Sequence, residues 1–187
     1  MDEVMKKRCG WVMNSAIQRE YHDTEWGVAV HDDHTLYETL ILESFSTGLS
    51  WLIILKKREN FRKAFDNFDI NKVAGYGEQE VEELSKNADI IRSPNKIRAT
   101  INNTKIFRNI QKEYGSFSKY VWGFTDSKVI KNTDNQFNTR NDTAVKISDD
   151  LKKRGMKYVG PVIINAFLEA VGIINNHETG CFRYNEV

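Results

Sequence analysis

Four residues able to bind a metal stand in two pairs at opposite ends of this chain, so the first question for any fold is whether the ends meet. Cys9 and His22 lie in RCGWVMNSAIQREYHDTEWG, and His177 and Cys181 lie in NNHETGC. Two thiolates and two imidazoles suit a tetrahedral Zn²⁺. His177 and Cys181 are four apart, which is chelate spacing on a turn or a helix. Neither pair closes a site alone, so an ion held by all four would clasp the termini together. Such a filled site leaves no position for water and is structural rather than catalytic. The alternative is two buried free cysteines and two unrelated histidines, and spacing alone does not separate the readings. His31 and His34 have no thiol companions and are expected on the surface. Two cysteines in 187 residues cannot build a disulfide scaffold of the small secreted kind.

Between these ends the pattern is helical. Asp32 or Asp33 can cap a helix whose apolar face is Leu36, Leu40 and Ile41. Gly48 interrupts it, and Ile54, Phe61, Phe65 and Phe68 follow as a second amphipathic run. Val81, Leu84 and Ala88 mark a short helix among Glu78, Glu80, Glu82 and Glu83, whose early carboxylates suit a helix N-terminus. Pro94 opens a run through Ile97, Ile101 and Ile110, which Gly115 stops before a new cap at Ser116. Residues 125–142 are polar, Asn-rich and without a period, and read as a long surface loop. Helix resumes from Ala144 to Arg154, Gly155 is a C′ glycine, MKYVG makes a five-residue hairpin, and Pro161 begins a helix apolar nearly all round and expected to be central. No alternating strand series competes. The expectation is an all-α bundle in a single domain, 1–187. With 40% hydrophobic and 28% charged residues the composition is ordinary globular, which excludes disordered, collagen-like and membrane classes. The charged opening residues do not form a secretory signal and no apolar run can span a bilayer, so a soluble cytoplasmic protein is expected.

Two internal stretches carry chemistry. In LESFSTGLSW, Glu43 sits within an apolar helical run, where a carboxylate is unfavourable unless something pairs with it. It is either exposed, or matched by a Lys or Arg, or held at the bottom of a pocket for a cationic or hydrogen-bond-donating ligand. Trp51, Trp26, Trp11 and Tyr21 can wall such a pocket, since aromatic faces attract flat cationic rings. Their commoner fate is core packing. Gly48 and Leu49, one turn on, form a tip able to wedge between stacked bases. In LKKRGMKYVGPVIINAF, Gly160 stands before a helix N-terminus, a ready phosphate site. Lys152, Lys153, Arg154 and Lys157 add positive charge to a chain whose net charge is only +1, and Lys56, Lys57 and Arg58 form a second basic cluster. Each cluster alone is commonly a solvated helix end. Beside a Gly-bounded hairpin they make binding of a DNA backbone a serious reading.

Taken together, RCGW, YHDTEWG, LES..TGLSW, LKKRENF, LKKRGMKYVGP and HETGC resemble the 3-methyladenine DNA glycosylase I family of the helix-hairpin-helix glycosylase superfamily, in order and from Cys9 to Cys181. The resemblance implies a monofunctional base-excision-repair enzyme that flips 3-methyladenine out of alkylated double-stranded DNA and hydrolyses its N-glycosidic bond. It implies a helix-hairpin-helix at about 144–172, and termini 9–27 and 175–181 clasped by one structural zinc on Cys9, His22, His177 and Cys181. It further implies Glu43 as the catalytic residue of the pocket, contacting the excised base together with Tyr21, and Trp51 stacking on it. Trp11 and Trp26 are expected to complete the pocket. Gly48 and Leu49 would enter the duplex, and Lys157 and Gly160 would anchor its backbone. Members commonly have Gln-Ala where this chain has Ser46 and Thr47, and Thr after the hairpin proline, where it has Val162 and Ile163. Many relatives in the superfamily place a catalytic Asp shortly after the hairpin. Here no acid follows until Glu169, and the family resembled also lacks that Asp. The competing expectation is a non-catalytic, zinc-stapled module that binds damaged or abasic DNA. A catalytic metal would instead need an open coordination position. Nothing in the sequence demands an obligate oligomer, and a monomer is expected.

Overall fold

The structure is a computed structural model that describes residues 6–12, 15–133 and 139–187. Nine α-helices carry the described residues: α1 (Ala16–Thr24), α2 (Asp33–Ser46), α3 (Trp51–Ala64), α4 (Ile70–Ala74), α5 (Glu78–Lys86), α6 (Pro94–Tyr114), α7 (Phe117–Gly123), α8 (Asp142–Lys153) and α9 (Pro161–Ala170). Two short strands, β1 (Ile130–Lys131) and β2 (Ile174–Asn175), pair in parallel, Ile130 opposite Ile174.

Local chemistry sets the helix starts. The side chains of Asp32, Ser93, Ser116 and Asn141 accept from backbone amides two or three residues on, which satisfies donors the helix itself cannot. Asp33, the first residue of α2, accepts from the amides of Phe117 and Ser118 at 2.8 Å each and so fixes α7 against α2. α2 is the central post and packs against α3, α6, α7 and α9. Leu36, Leu40, Ile41 and Phe45 of α2 meet Phe61, Phe65 and Phe68, Ile97 and Phe107 of α6, and Ile164, Phe167 and Leu168 of α9, all fully buried or nearly so. Each such side chain contributes about 1.5–3 kcal/mol of burial. The buried Tyr37 hydroxyl shares a 2.5 Å hydrogen bond with Thr104.

A satellite cluster lies apart from this core. Cys9, Tyr21, Trp26, Leu55, Ala170 and Cys181 are buried there, with Trp11, Val12, Ile17, Trp51 and Phe182 packed on them. Residues from both ends of the chain therefore build one structure.

Three expectations change in detail. The 125–142 stretch is not wholly irregular, because β1 pairs with the segment after α9 and Asp142 already begins α8. Residues 134–138 of it lie outside the described residues. Ala88 falls beyond the end of α5. Finally, α9 is not buried all round: Val162 is 54% exposed and Ile163 half-buried. Its first turn is apolar because it borders a cavity, not because it is central.

Candidate functional site

The two halves of the Cys/His pattern meet. The ligand atoms of Cys9, His22, His177 and Cys181 all lie within 4.8 Å of one another, and all four residues are buried. Cys9 Sγ stands 3.5 Å from His177 Nδ1, and Cys181 Sγ stands 3.4 Å from His22 Nε2 and 3.6 Å from His177 Nδ1. A tetrahedral zinc with sulfur at about 2.3 Å and nitrogen at about 2.05 Å requires S···N separations of about 3.6 Å. The donor set thus fits a metal ion in type, number and spacing.

The surroundings fit as well. His22 Nδ1 meets Asp23 Oδ1 at 2.8 Å, and Arg8 holds Asp23 in turn at 2.7 Å. His177 Nε2 meets the Trp26 carbonyl at 3.1 Å. A carboxylate and a carbonyl only accept, so those nitrogens carry the protons and His22 Nε2 and His177 Nδ1 are left bare toward the sulfurs. The Glu178 amide donates to Cys9 Sγ at 3.3 Å. Burial without a cation pushes the Cys9 thiol up to about 12 and His177 down to about 4. Both imidazoles are thereby kept neutral, as a ligand must be, and a bound dication would supply what the thiolates lack. Gly27, at φ +82°, lets the chain pass within reach of His177: a Cβ there would stand 2.8 Å from its Nε2.

The same centre positions aromatic walls. Trp26 packs edge-on against His177, with ring centres 4.5 Å apart, and Trp11 against Trp26 at 5.0 Å. Both indoles then line a cavity of about 520 Å³ with Tyr21, Glu43, Ser46, Thr47, Gly48, Leu49, Trp51, Val162, Ile163, Ala166 and Glu169. Every pocket residue expected from the sequence is in this lining, together with the four positions where the chain departs from the usual pattern. Glu169 is the functional candidate that sequence reasoning missed. Its helical distance from the hairpin hid it, and only the packing of α9 across α2 brings it to Glu43.

Glu43 is buried, and among the described residues no cation pairs with it. It is 5% exposed, and its carboxylate takes one weak hydrogen bond, from Ser46 Oγ at 3.3 Å. Burial lifts its pKa to about 8, with the charge of Glu169 adding to the rise and the Ser46 hydroxyl opposing it. Tyr21 stands 5.7 Å from Trp51 between ring centres and is kept a neutral phenol by burial and by Glu43. Among the described residues the buried Trp51 indole nitrogen has no hydrogen-bond partner. The cavity is therefore an apolar, aromatic slot with a buried acid in its wall and two exposed apolar groups, Leu49 and Val162, on its rim.

The rim is held from below. After α2, Gly48 adopts φ +79° with open space around it, and Leu49 N returns to Ser46 O at 2.7 Å, so Leu49 stands out on a tight turn. Lys96 of α6 donates to the carbonyls of Phe45 at 3.0 Å and Thr47 at 2.7 Å, and its ammonium lies 6.0 Å from the Tyr158 ring. It joins the turn after α2 to the turn between α8 and α9. Asn103 braces that second turn, donating to Lys157 O and accepting from Lys157 N. Lys157 itself is exposed, and Gly160 is the N-cap of α9. Of the basic clusters, Arg58 is engaged by Glu25, Lys57 by the carbonyls of Ala88 and Asp89, and Arg154 by Glu113 and Asp150. Lys56, Lys152, Lys153 and Lys157 remain exposed. His31 and His34 lie on the surface as expected. Among the described residues no helix is long and apolar enough to cross a membrane.

Comparison with known proteins places this arrangement. The family described as methyladenine glycosylase matches residues 11–184. DNA-3-methyladenine glycosylase 1 of Escherichia coli is 39% identical over 181 residues, covering 95% of this chain and 97% of that protein. Among solved structures, a 3-methyladenine DNA glycosylase I superposes with a TM-score of 0.90 at 38% identity, covering 94% of this chain and 98% of the other. The Staphylococcus aureus enzyme, solved to show how it recognises 3-methyladenine, gives a TM-score of 0.90 at 35% identity, covering 95% of this chain and 96% of that one.

Proposed function

The chain belongs to the methyladenine glycosylase family, and from that membership we propose that it excises 3-methyladenine from alkylated double-stranded DNA, hydrolysing the N-glycosidic bond without cleaving the strand. The observation that carries the reading is the buried, cation-free Glu43 in a cavity walled by Tyr21, Trp11, Trp26 and Trp51. The whole chain serves as one glycosylase domain and acts as a monomer.

A base inside a duplex is out of reach, so it must leave the stack. Leu49, on the Gly48 turn at the cavity mouth, fills the gap it leaves. The α8–turn–α9 segment acts as a helix-hairpin-helix: Gly160 at the start of α9 offers backbone amides to a phosphate, and Lys157 adds charge beside it. N3-alkylation makes adenine cationic and its glycosidic bond labile, so much of the activation is already in the lesion. Trp51 stacks on the extruded ring. Glu43 gives up its proton to solvent as the positive charge arrives and accepts hydrogen bonds from the edge of the base, which favours the electron-poor sugar of the transition state; the base leaves neutral with the bond electrons, water adds to the sugar carbon, and its proton passes to solvent. Neutral adenine brings no such compensation for a desolvated carboxylate. The Cys9, His22, His177 and Cys181 site holds zinc in a structural role, fixing Trp11 and Trp26 in the wall. The Ser46 departure from the usual family pattern gives Glu43 its one hydroxyl donor.

Chromatography of bases released from methylated DNA tests the assignment. Free 3-methyladenine should appear with time and strand breaks should not. Tight binding to abasic duplex with no base released would establish the non-catalytic module instead. A second expectation concerns Lys96. Lys96→Met removes a charged donor from two carbonyls beneath the Leu49 turn, interactions worth about 1.5–3 kcal/mol. Affinity for an abasic-site duplex should fall about tenfold, while binding of free 3-methyladenine, followed by tryptophan fluorescence, stays near that of the parent. Equal affinity for duplex in the two proteins would show that the turn is held without Lys96.

A further inference from the structure

Glu169 is too far along α9 to take the place of a carboxylate next to the hairpin, yet it lines the same cavity as Glu43. Its Oε1 accepts from Asn165 Nδ2 at 2.7 Å and from Asn176 Nδ2 at 2.8 Å. Both amides are oriented by their partners. Asn165 Oδ1 already accepts from the Asn141 amide at 3.0 Å, and Asn176 Oδ1 from Asn132 Nδ2 at 2.5 Å. Reversing Asn165 would set donor against donor at Asn141 and oxygen against oxygen at Glu169, and reversing Asn176 would set its oxygen against the Glu169 carboxylate. Both side chains therefore present N–H to Glu169, a setting that favours its ionised form.

No Lys or Arg among the described residues lines this cavity. Facing Glu169 across it are Glu43 of α2, the phenol of Tyr21 of α1, and Trp51 of α3. Along its own helix stand the apolar Ala166, Ile163 and Val162. Glu25 and Arg58, paired with each other at 2.6 Å, also act on Tyr21. Two carboxylates in an apolar slot without a cation are unfavourable unless the ligand brings the positive charge.

We propose that Glu169 is a specificity-determining residue of the cavity, a second recognition carboxylate that makes it select a purine bearing positive charge over a neutral purine of the same shape. The inference rests on reading the cavity as the base pocket. Protonation supports it. Burial raises Glu169 to about 7 against its two amide donors, and Glu43 to about 8. Two amide donors at 2.7 and 2.8 Å favour an ionised Glu169 more than one hydroxyl at 3.3 Å favours an ionised Glu43. The negative charge of the cavity therefore grows as pH rises past the ordinary carboxylate range.

The test uses two ligands, 3,9-dimethyladeninium, whose charge is permanent, and 9-methyladenine, its neutral counterpart, with binding read from tryptophan fluorescence. Glu169→Gln keeps the shape and an acceptor for both asparagines. Its preference for the cation should fall about tenfold through weaker cation binding alone, the scale of one lost charge in a semi-polar site. In the unaltered protein the same preference should rise between pH 5 and pH 8. An unchanged ratio in the variant, equal weakening of both ligands, or a flat ratio across that pH range in the unaltered protein overturns the proposal. Release of 3-methyladenine from methylated DNA by the unaltered protein is measured alongside. If no base is released, the reading of the pocket has failed. If base is released and the preference does not move, only the role of Glu169 has.

Discussion

Replacing Cys181 by alanine is expected to abolish tight metal binding and to lower the melting temperature by roughly 6–20 °C. The size follows from a loss of about 3–5 kcal/mol, typical when a buried metal or charge network is broken, and from a shift of about 2–4 °C per kcal/mol for a chain of this length. The reason lies in what remains. Cys181 is 4% exposed, and its sulfur is the atom within 3.6 Å of both imidazoles. Without it three donors are left around a void, and the packing of Trp26 and Trp11 on the histidines loses its centre. Metal content by atomic spectroscopy and melting by calorimetry check this together. One tightly held equivalent of zinc in the variant, at an unchanged melting temperature, would mean the four residues are not a metal site.

Glu43→Gln should divide activity from stability. Release of 3-methyladenine is expected to fall at least a hundredfold, about 2.7 kcal/mol of lost transition-state stabilisation, because an amide of the same shape can neither ionise nor offset a positive charge. Stability should move the other way. Glu43 is raised from 4.5 to about 8, chiefly by burial. An acid whose folded pKa is raised favours the folded state fully below its unfolded pKa, and loses that advantage as pH rises through the folded one. Between about pH 4.5 and pH 8 the native carboxyl thus becomes progressively more costly. The Gln variant should melt at or near the parent temperature at pH 4.5 and above it at pH 8. A variant that retains full activity, or that is destabilised most at high pH, would contradict this account of the carboxylate.

Much of this was legible along the chain, and the limits have physical causes. Helix starts near Asp32, Pro94 and Ser116 and the stop at Gly115 were readable because capping is local chemistry within four residues. The pairing of β1 with β2 was not, since a two-residue parallel bridge leaves no period and depends on how α8 and α9 return the chain between them. The metal ligands could be picked out by type, but only the folded chain decides whether distant ends meet. Glu43 shows the same division: an acid in an apolar run is visible in sequence, whereas the absence of a partner cation is a tertiary fact. Glu169 went unassigned because its meaning depends on Asn132, Asn165 and Asn176, which no spacing rule connects to it. The basic cluster at Lys56 to Arg58 carried less than its composition promised, because Arg58 and Lys57 are turned inward onto Glu25 and the carbonyls after α5.

The clasp between Cys9, His22, His177 and Cys181 has a consequence in time as well as in space. A ribosome delivers the chain from its N-terminus at about 5–20 residues per second, so Trp11, Tyr21 and Trp26 are made early but cannot be seated until His177 and Cys181 have emerged. α2, α3 and α6 can assemble their shared core before then. On the proposed occupancy of the site, the wall closes last, in a step that needs both a nearly finished polypeptide and a zinc ion. Growth medium poor in zinc would then leave the core folded and the wall unlatched, making repair capacity a gauge of metal supply.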